Sequence, residues 1–134
     1  GDLPGADFHA HGVNPLCGDE IRLAVARSAD GIAELRFTGH GCVISQASAA
    51  MMCEALASRS LAEVKDLVGA FKAMMLSGAP ASSLPEALAG AEALEGVRKF
   101  PLRIKCALLA WNTFLQGLSE GRPGRRDSEY QEAA

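Results

Sequence analysis

At 134 residues, 49% of them hydrophobic, the chain is long enough for one core and too short for two ordinary domains. A formal net charge of -3 gives no overall attraction to nucleic acid or to an anionic membrane surface, and no apolar run approaches the roughly 20 residues of a membrane span. The opening Gly1-Asp2-Leu3-Pro4-Gly5 has neither a basic nor an apolar leader, so a soluble, cytoplasmic protein is expected, and a start on Gly rather than Met suggests processing or residues upstream.

Residues 1–14 mix Gly, Pro and His without a period and read as a loop or a partly ordered arm. Asn14-Pro15-Leu16-Cys17-Gly18-Asp19 reads as a tight turn into a strand. Ile21, Leu23 and Val25 then alternate with Arg22, Ala24 and Ala26, and beyond Asp30-Gly31 the set Ala33, Leu35, Phe37 alternates with Glu34 and Arg36. An antiparallel hairpin is predicted, broken at Thr38-Gly39-His40-Gly41, with Cys42-Val43-Ile44 as a short third strand. Ser45 is the expected cap of a helix over 46–57, rich in Ala, Met, Glu and Leu.

A second helix is predicted from Leu61 to Leu76, stopping at Ser77-Gly78-Ala79-Pro80, and short helical turns between Ala81 and Gly96. The last helix opens at Pro101, whose ring suits the first helical position, and runs to about Leu115 with Ile104, Leu108, Trp111 and Leu115 on one face. From Gly117 the composition turns polar. The expected organisation is a single α+β domain over 1–118, a small antiparallel sheet with helices packed on one face, followed by a disordered polar tail over 119–134.

Four cysteines without an export signal read as reduced thiols, which invite metal or sulfur chemistry. Gly18 lets the side chains of Cys17 and Asp19 aim at one point, Gly39 and Gly41 permit a close approach before Cys42, and Cys106 sits in the first turns of a helix, where a thiolate is favoured. Three thiolates and a carboxylate would make four-coordinate zinc. The spacing contains no CxxC pair, and scattered cysteines acting as small buried hydrophobes is the competing reading.

Three stretches bear on that choice. They are Asn14-Pro15-Leu16-Cys17-Gly18-Asp19, Gly39-His40-Gly41-Cys42-Val43-Ile44-Ser45-Gln46-Ala47-Ser48-Ala49 and Phe100-Pro101-Leu102-Arg103-Ile104-Lys105-Cys106-Ala107. In this order they resemble the three signatures of the SufU-type family, the zinc-dependent branch of the IscU and NifU N-terminal scaffold proteins, with a SufE/NifU-like fold. The likeness runs from about Asn14 to Leu118. Lys105 stands where IscU proteins have His, the stretch from Leu61 to Leu94 is similar to the helical segment SufU proteins carry between their second and third cysteines, and the IscU Leu-Pro-Pro-Val-Lys motif is not present. Members of that family usually begin with a helix before the Asn-Pro-x-Cys motif, and this sequence starts too late to show one.

The resemblance implies Zn2+ held by Cys17, Asp19, Cys42 and Cys106, and a sulfurtransferase that accepts persulfide sulfur on Cys17 from a pyridoxal-phosphate cysteine desulfurase of SufS type. The sulfur would pass toward a downstream cluster-assembly scaffold. Arg103, one turn before Cys106, reads either as a stabiliser of anionic sulfur or as a solvated helix residue. Two other functions compete: a scaffold holding iron or a nascent [2Fe–2S] cluster, and a non-catalytic module in which zinc only supports the fold.

The remaining candidates read more plainly. Cys53 is expected as a buried or half-buried thiol; His40 reads as an exposed loop residue or as one that replaces a ligand or relays a proton, and His9 and His11 as a solvated pair or one that picks up metal adventitiously. The four methionines are expected as core or interface filler. Arg122, Arg125 and Arg126 read as a solvated tail cluster.

Overall fold

The alternation between Asp19 and His40 produces the sheet that carries everything else. In the computed structural model, which describes residues 3–120 and 127–132, β1 (Phe8–Asn14), β2 (Asp19–Arg27) and β3 (Gly31–His40) form a three-stranded antiparallel meander. A two-residue β4 (Arg59–Ser60) pairs antiparallel with the outer edge of β3, and β5 (Asp127–Gln131) pairs parallel with the outer edge of β1. The sheet order is β4-β3-β2-β1-β5, a five-stranded mixed sheet.

One face of this sheet is apolar by register. Phe8 lies opposite Val25, Ala10 opposite Leu23 and Gly12 opposite Ile21, while Leu23 and Val25 meet Phe37 and Leu35 on the other side. Followed to its end, the same stripe terminates in the pair Asn14 and Asp19, both buried. The period of two therefore delivers a buried amide and a buried carboxylate to the helix side of the sheet.

The helices are α1 (Val43–Leu56), α2 (Leu61–Leu76) and α3 (Pro101–Glu120), with 3-10 turns over Ala81–Ser83 and Glu86–Lys99. Helix α3 packs across β1, β2 and β5, and α1 lies between α3 and β3. Close approach of α3 to β1 depends on Gly12, since a Cβ there would overlap the Thr113 hydroxyl. Ser48 of α1 donates to the Ala107 carbonyl of α3 at 2.6 Å and accepts from Trp111 Nε1 at 2.8 Å; Trp111 in turn stacks on Phe71 of α2 with ring centroids 4.1 Å apart. Three helices are thus locked around one indole. Helix α2 begins with a capping box, Ser60 accepting from Glu63 N–H and Glu63 accepting from Ser60 N–H. Among the described residues no helix is long and apolar enough to cross a membrane.

The α+β architecture, the β2–β3 hairpin and α2 agree with the expectations; four details do not. The arm expected over 1–14 contains β1, whose strand pattern is muted because its core face uses Ala10 and Gly12 to admit α3. Part of the expected disordered tail is ordered: Ser119 belongs to α3, and residues 127–131 add to the sheet through backbone pairing, which leaves no side-chain period to read. Residues 121–126 and 133–134 of that tail, with Arg122, Arg125 and Arg126, lie outside the described residues. The sheet is mixed rather than purely antiparallel for the same reason. Finally, β3 continues through Gly39 to His40, and Cys42-Val43-Ile44 is no strand: Cys42 is the N-cap of α1 and Ser45 the third residue of the helix.

Replacing Ser48 by Ala would leave the buried Trp111 N–H without its acceptor. Urea denaturation is expected to show a loss of about 1–3 kcal/mol with an unchanged slope.

Candidate metal centre

Each side chain of the site is held by a local feature that the sequence makes necessary. The turn joining β1 to β2 closes with Cys17 N–H donating to the Asn14 carbonyl at 3.2 Å, Pro15 occupying the second turn position. Gly18 then adopts φ +70°, a left-handed conformation that returns the chain to Asp19 at the start of β2. Cys17 is half-buried at the tip of this turn, beside Leu16, which is 53% exposed.

Asp19 reaches across to the segment after β3. Its Oδ1 accepts the Cys42 N–H at 2.8 Å, and its Oδ2 lies 3.8 Å from Cys42 Sγ. Gly41, at φ +136°, runs so close that a Cβ would overlap the Asp19 carboxylate and stand 2.8 Å from its Cα. Cys42 caps α1 with its sulfur, which accepts the Ser45 N–H at 3.4 Å, so one thiol sits in the field of a helix N-terminus.

Cys106 comes from the buried side of α3. Donor atoms of Cys17, Asp19 and Cys106 all lie within 4.8 Å of one another, and this group could hold a metal ion. Cys42 adjoins it through Asp19. Asn14 completes the wall: its Nδ2 donates to Cys106 Sγ at 3.7 Å, while its Oδ1 is buried with no hydrogen-bond partner.

Electrostatics make this group unfavourable without a cation. Burial first, then hydrogen bonds to Asp19, Cys17 and Cys42 and the charge of Asp19, push the Cys106 thiol far above the ordinary thiol range. The Cys106 thiolate is thus disfavoured unless positive charge sits beside it, and a thiolate-plus-carboxylate set suits a borderline metal. Arg103 supplies some positive charge from the rim. Its guanidinium pKa is raised by a hydrogen bond to Cys106, then by the charges of Cys42, Cys106 and Cys17, so the side chain faces the thiols although it is exposed.

Other candidates lie elsewhere. His40 is 73% exposed and turns to the opposite face of the sheet, where its Nε2 is 3.2 Å from Glu20 Oε1. His11 bonds the other oxygen of the same carboxylate, and His9 shares that outer face by register. Met52, Met74 and Met75 are core residues, and Met51 packs half-buried against the core. Lys105, next to Cys106, is half-exposed. Cys53 is half-buried against the core, and burial pushes its thiol up to about 12.

Sequence reasoning missed two things. Asn14 reads in the sequence as part of a turn and of the first motif but not as a site residue, yet it touches the site. The second omission is an apolar rim: Leu16, Val43, Phe100 and Leu102 are four of the five large hydrophobics that are exposed among the described residues, and each lies in one of the three motifs. Cys42, Val43, Ile44, Phe100 and Arg103 line an open cleft of about 640 Å³. The signal available in the sequence was an apolar residue beside each of Cys17, Cys42 and Arg103 that no core periodicity required.

The raised Cys53 pKa carries a pH dependence of definite sign. The folded thiol stays neutral to about pH 12, whereas the unfolded one ionises from pH 9 upward, so this group's contribution favours folding below 9 and is lost as pH rises toward 12. Urea denaturation at about pH 8 and about pH 10.5 should therefore show a smaller alkaline loss of stability in Cys53→Ala than in the wild type. An equal loss in both would count against a buried Cys53.

Comparison with known proteins agrees with this geometry. The NifU-like N-terminal domain family model matches residues 1–107. The zinc-dependent sulfurtransferase SufU of Bacillus subtilis (strain 168) is 39% identical over 111 residues, which span 83% of this chain and 74% of that protein. The iron–sulfur cluster assembly scaffold protein IscU of Streptococcus pyogenes serotype M1 is 41% identical over 105 residues, 78% of this chain and 65% of that one. Among solved structures, a candidate cluster assembly scaffold protein of the SUF system from the thermophile Fervidobacterium islandicum AW-1 superposes with a TM-score of 0.75 at 33% identity, covering 86% of this chain and 82% of the other. The chain belongs to the NifU-like N-terminal domain family of iron–sulfur cluster assembly proteins, within the group formed by SufU and IscU.

Proposed function

We propose that the protein is a zinc-dependent sulfurtransferase of iron–sulfur cluster biogenesis, with Cys17 as the sulfur acceptor and Cys17, Asp19, Cys42 and Cys106 as the metal ligands. The carrying observation is the difference in access among thiols in one cluster. Cys17 is half-buried at the tip of a turn, whereas Cys106 is fully buried beneath it. An incoming sulfur donor can reach the first and not the second.

Zinc, when bound, would hold the thiols as thiolates at neutral pH and neutralise the crowded negative charge. The chain's own residues do the rest. Gly18 holds the left-handed turn that separates Cys17 from Asp19, and Asp19 is tied to the Cys42 N–H. The freed Cys17 thiolate attacks the terminal sulfur of a persulfide on a pyridoxal-phosphate cysteine desulfurase of SufS type. A new S–S bond forms on Cys17, the donor's S–S bond breaks, and the donor cysteine leaves as a thiolate, with no net oxidation or reduction. Arg103 beside the three thiols lowers the cost of the anionic persulfide, and the rim of Leu16, Val43, Phe100 and Leu102 offers apolar area for the desulfurase to cover. Sulfur then passes toward a cluster-assembly scaffold in the cytoplasm.

A scaffold reading is favoured by the scaffold names of the Streptococcus relative and of the Fervidobacterium structure. Purification without added iron distinguishes the two. Colourless protein with one zinc per chain supports sulfur transfer, and brown protein with iron and labile sulfide supports the scaffold.

The experiment that tests the acceptor is Cys17→Ala. It should abolish stimulation of a cognate desulfurase while zinc is retained by the other three ligands. In the wild type after turnover, alkylation and peptide mass analysis should find the added sulfur on the Cys17 peptide. Full stimulation by Cys17→Ala, or sulfur mainly on Cys42 or Cys106, would overturn the assignment.

A further inference from the structure

The buried stripe of β1 runs through Phe8, Ala10 and Gly12 and ends in Asn14, which is 1% exposed. An apolar side chain would continue that stripe, yet the position holds an amide. Asn is common where a turn begins because its side-chain oxygen accepts a backbone N–H two residues on, and Asn14 does open the turn that leads to Asp19. Its side chain is not used in that way. The backbone carbonyl of Asn14 accepts the Cys17 N–H at 3.2 Å, while Oδ1 is buried and has no hydrogen-bond partner among the described residues. The amide instead directs Nδ2 at Cys106 Sγ, 3.7 Å away on α3. Asn14 also faces Asp19 directly across the β1–β2 pair. One residue therefore touches the Cys17 turn, Asp19 and Cys106 by three different means.

We propose that Asn14 is a positioning residue of the metal centre, whose side-chain N–H donates to the Cys106 sulfur and fixes that sulfur as the anchored ligand of the ion. A buried amide with an unpaired oxygen is unfavourable for folding, so packing alone does not account for Asn14; the contact of its nitrogen with sulfur does. An N–H aimed at a thiolate takes up part of the sulfur's charge, and the bond strengthens when the thiol ionises onto a metal. It also holds the sulfur in one direction, as outer partners of metal ligands do. A sulfur that shares its charge in this way is the weaker nucleophile. Cys106 is thereby kept as a fixed ligand, and exchange is left to Cys17 at the tip of its turn. The inference rests on the ligand set proposed above and adds to it a difference in role between the buried and the accessible thiol.

Full-length protein whose metal has been exchanged for Co2+ tests this through its near-ultraviolet thiolate-to-cobalt absorption. Asn14→Leu keeps the side-chain size and the turn, whose bond is made by the backbone, and removes the N–H donor. The band should move to longer wavelength, because a sulfur without the bond gives up an electron more easily. Competition with a chelator should show Zn2+ held about 10–100-fold more weakly. Asn14→Val, apolar and suited to a strand, should shift the band in the same direction and supplies the answer if the Leu variant does not fold. Ser48→Ala, which weakens the packing of α3 through Ala107 and Trp111 without removing a bond to sulfur, should leave the band in place. A band and affinity unchanged by both Asn14 substitutions, or a band shifted equally by Ser48→Ala, would overturn the proposal. Cys106→Ser separates its failure from that of the ligand set. Absorption indifferent to Cys106→Ser overturns both together, whereas a Cys106-dependent band indifferent to Asn14 overturns the role of Asn14 alone.

Discussion

The contact between Asp19 and the Gly41–Cys42 peptide is the constraint on which the site depends. Asp19 is the last core-facing residue of β2, and its carboxylate accepts the N–H of the residue that caps α1. That bond works only because Gly41 lacks a side chain and can hold φ +136° against the carboxylate. It joins the end of the sheet to the start of a helix at one fixed distance. Cys42 is thereby set beside Asp19, the turn carrying Cys17 is set by the same strand, and α3 brings Cys106 in from above. A substitution at Gly41 would disturb together the three elements that carry the proposed ligands, although Gly41 itself can ligate nothing.

Packing and chemistry are continuous in this arrangement. The stripe Val25, Leu23, Ile21 that anchors the sheet in the core ends in Asp19, and the stripe Phe8, Ala10, Gly12 ends in Asn14. Helix α3 is held over that end by the Ser48–Trp111 bond and by the missing side chain at Gly12. The core fixes the height of Cys106 above Asp19, and the resulting crowding of acidic groups creates the demand for a cation. Rim residues face outward from the same place. Their exposure carries a cost in solubility that a globular protein rarely accepts over four neighbouring motif positions without a partner.

Much of this was legible in the sequence, and the unread parts share a cause. The β2–β3 hairpin and α2 follow from clear periods, and the glycines around Cys17 and Cys42 announced close backbone approach. Strand β1 was hidden because its inward positions are small where α3 presses on it, so the apolar pattern weakens at the point of tightest packing. Strand β5 was hidden because a parallel edge strand is bound by its backbone to β1, with sequence neighbours Asp127-Ser128-Glu129 that look like any polar tail. Helix α1 starts three residues before the position a Ser45 cap implies, because the Cys42 sulfur accepts an N–H as a hydroxyl does. The site role of Asn14 is not legible because it depends on Cys106, 92 positions away.

The central claim is that three sulfurs and one carboxylate oxygen share a single metal ion. X-ray absorption at the edge of the metal that the protein carries as purified measures this directly. The account predicts a first shell averaging three sulfurs at about 2.3 Å and one oxygen at about 2.0–2.2 Å. A shell of four sulfurs, or one of nitrogen and oxygen alone, would contradict it.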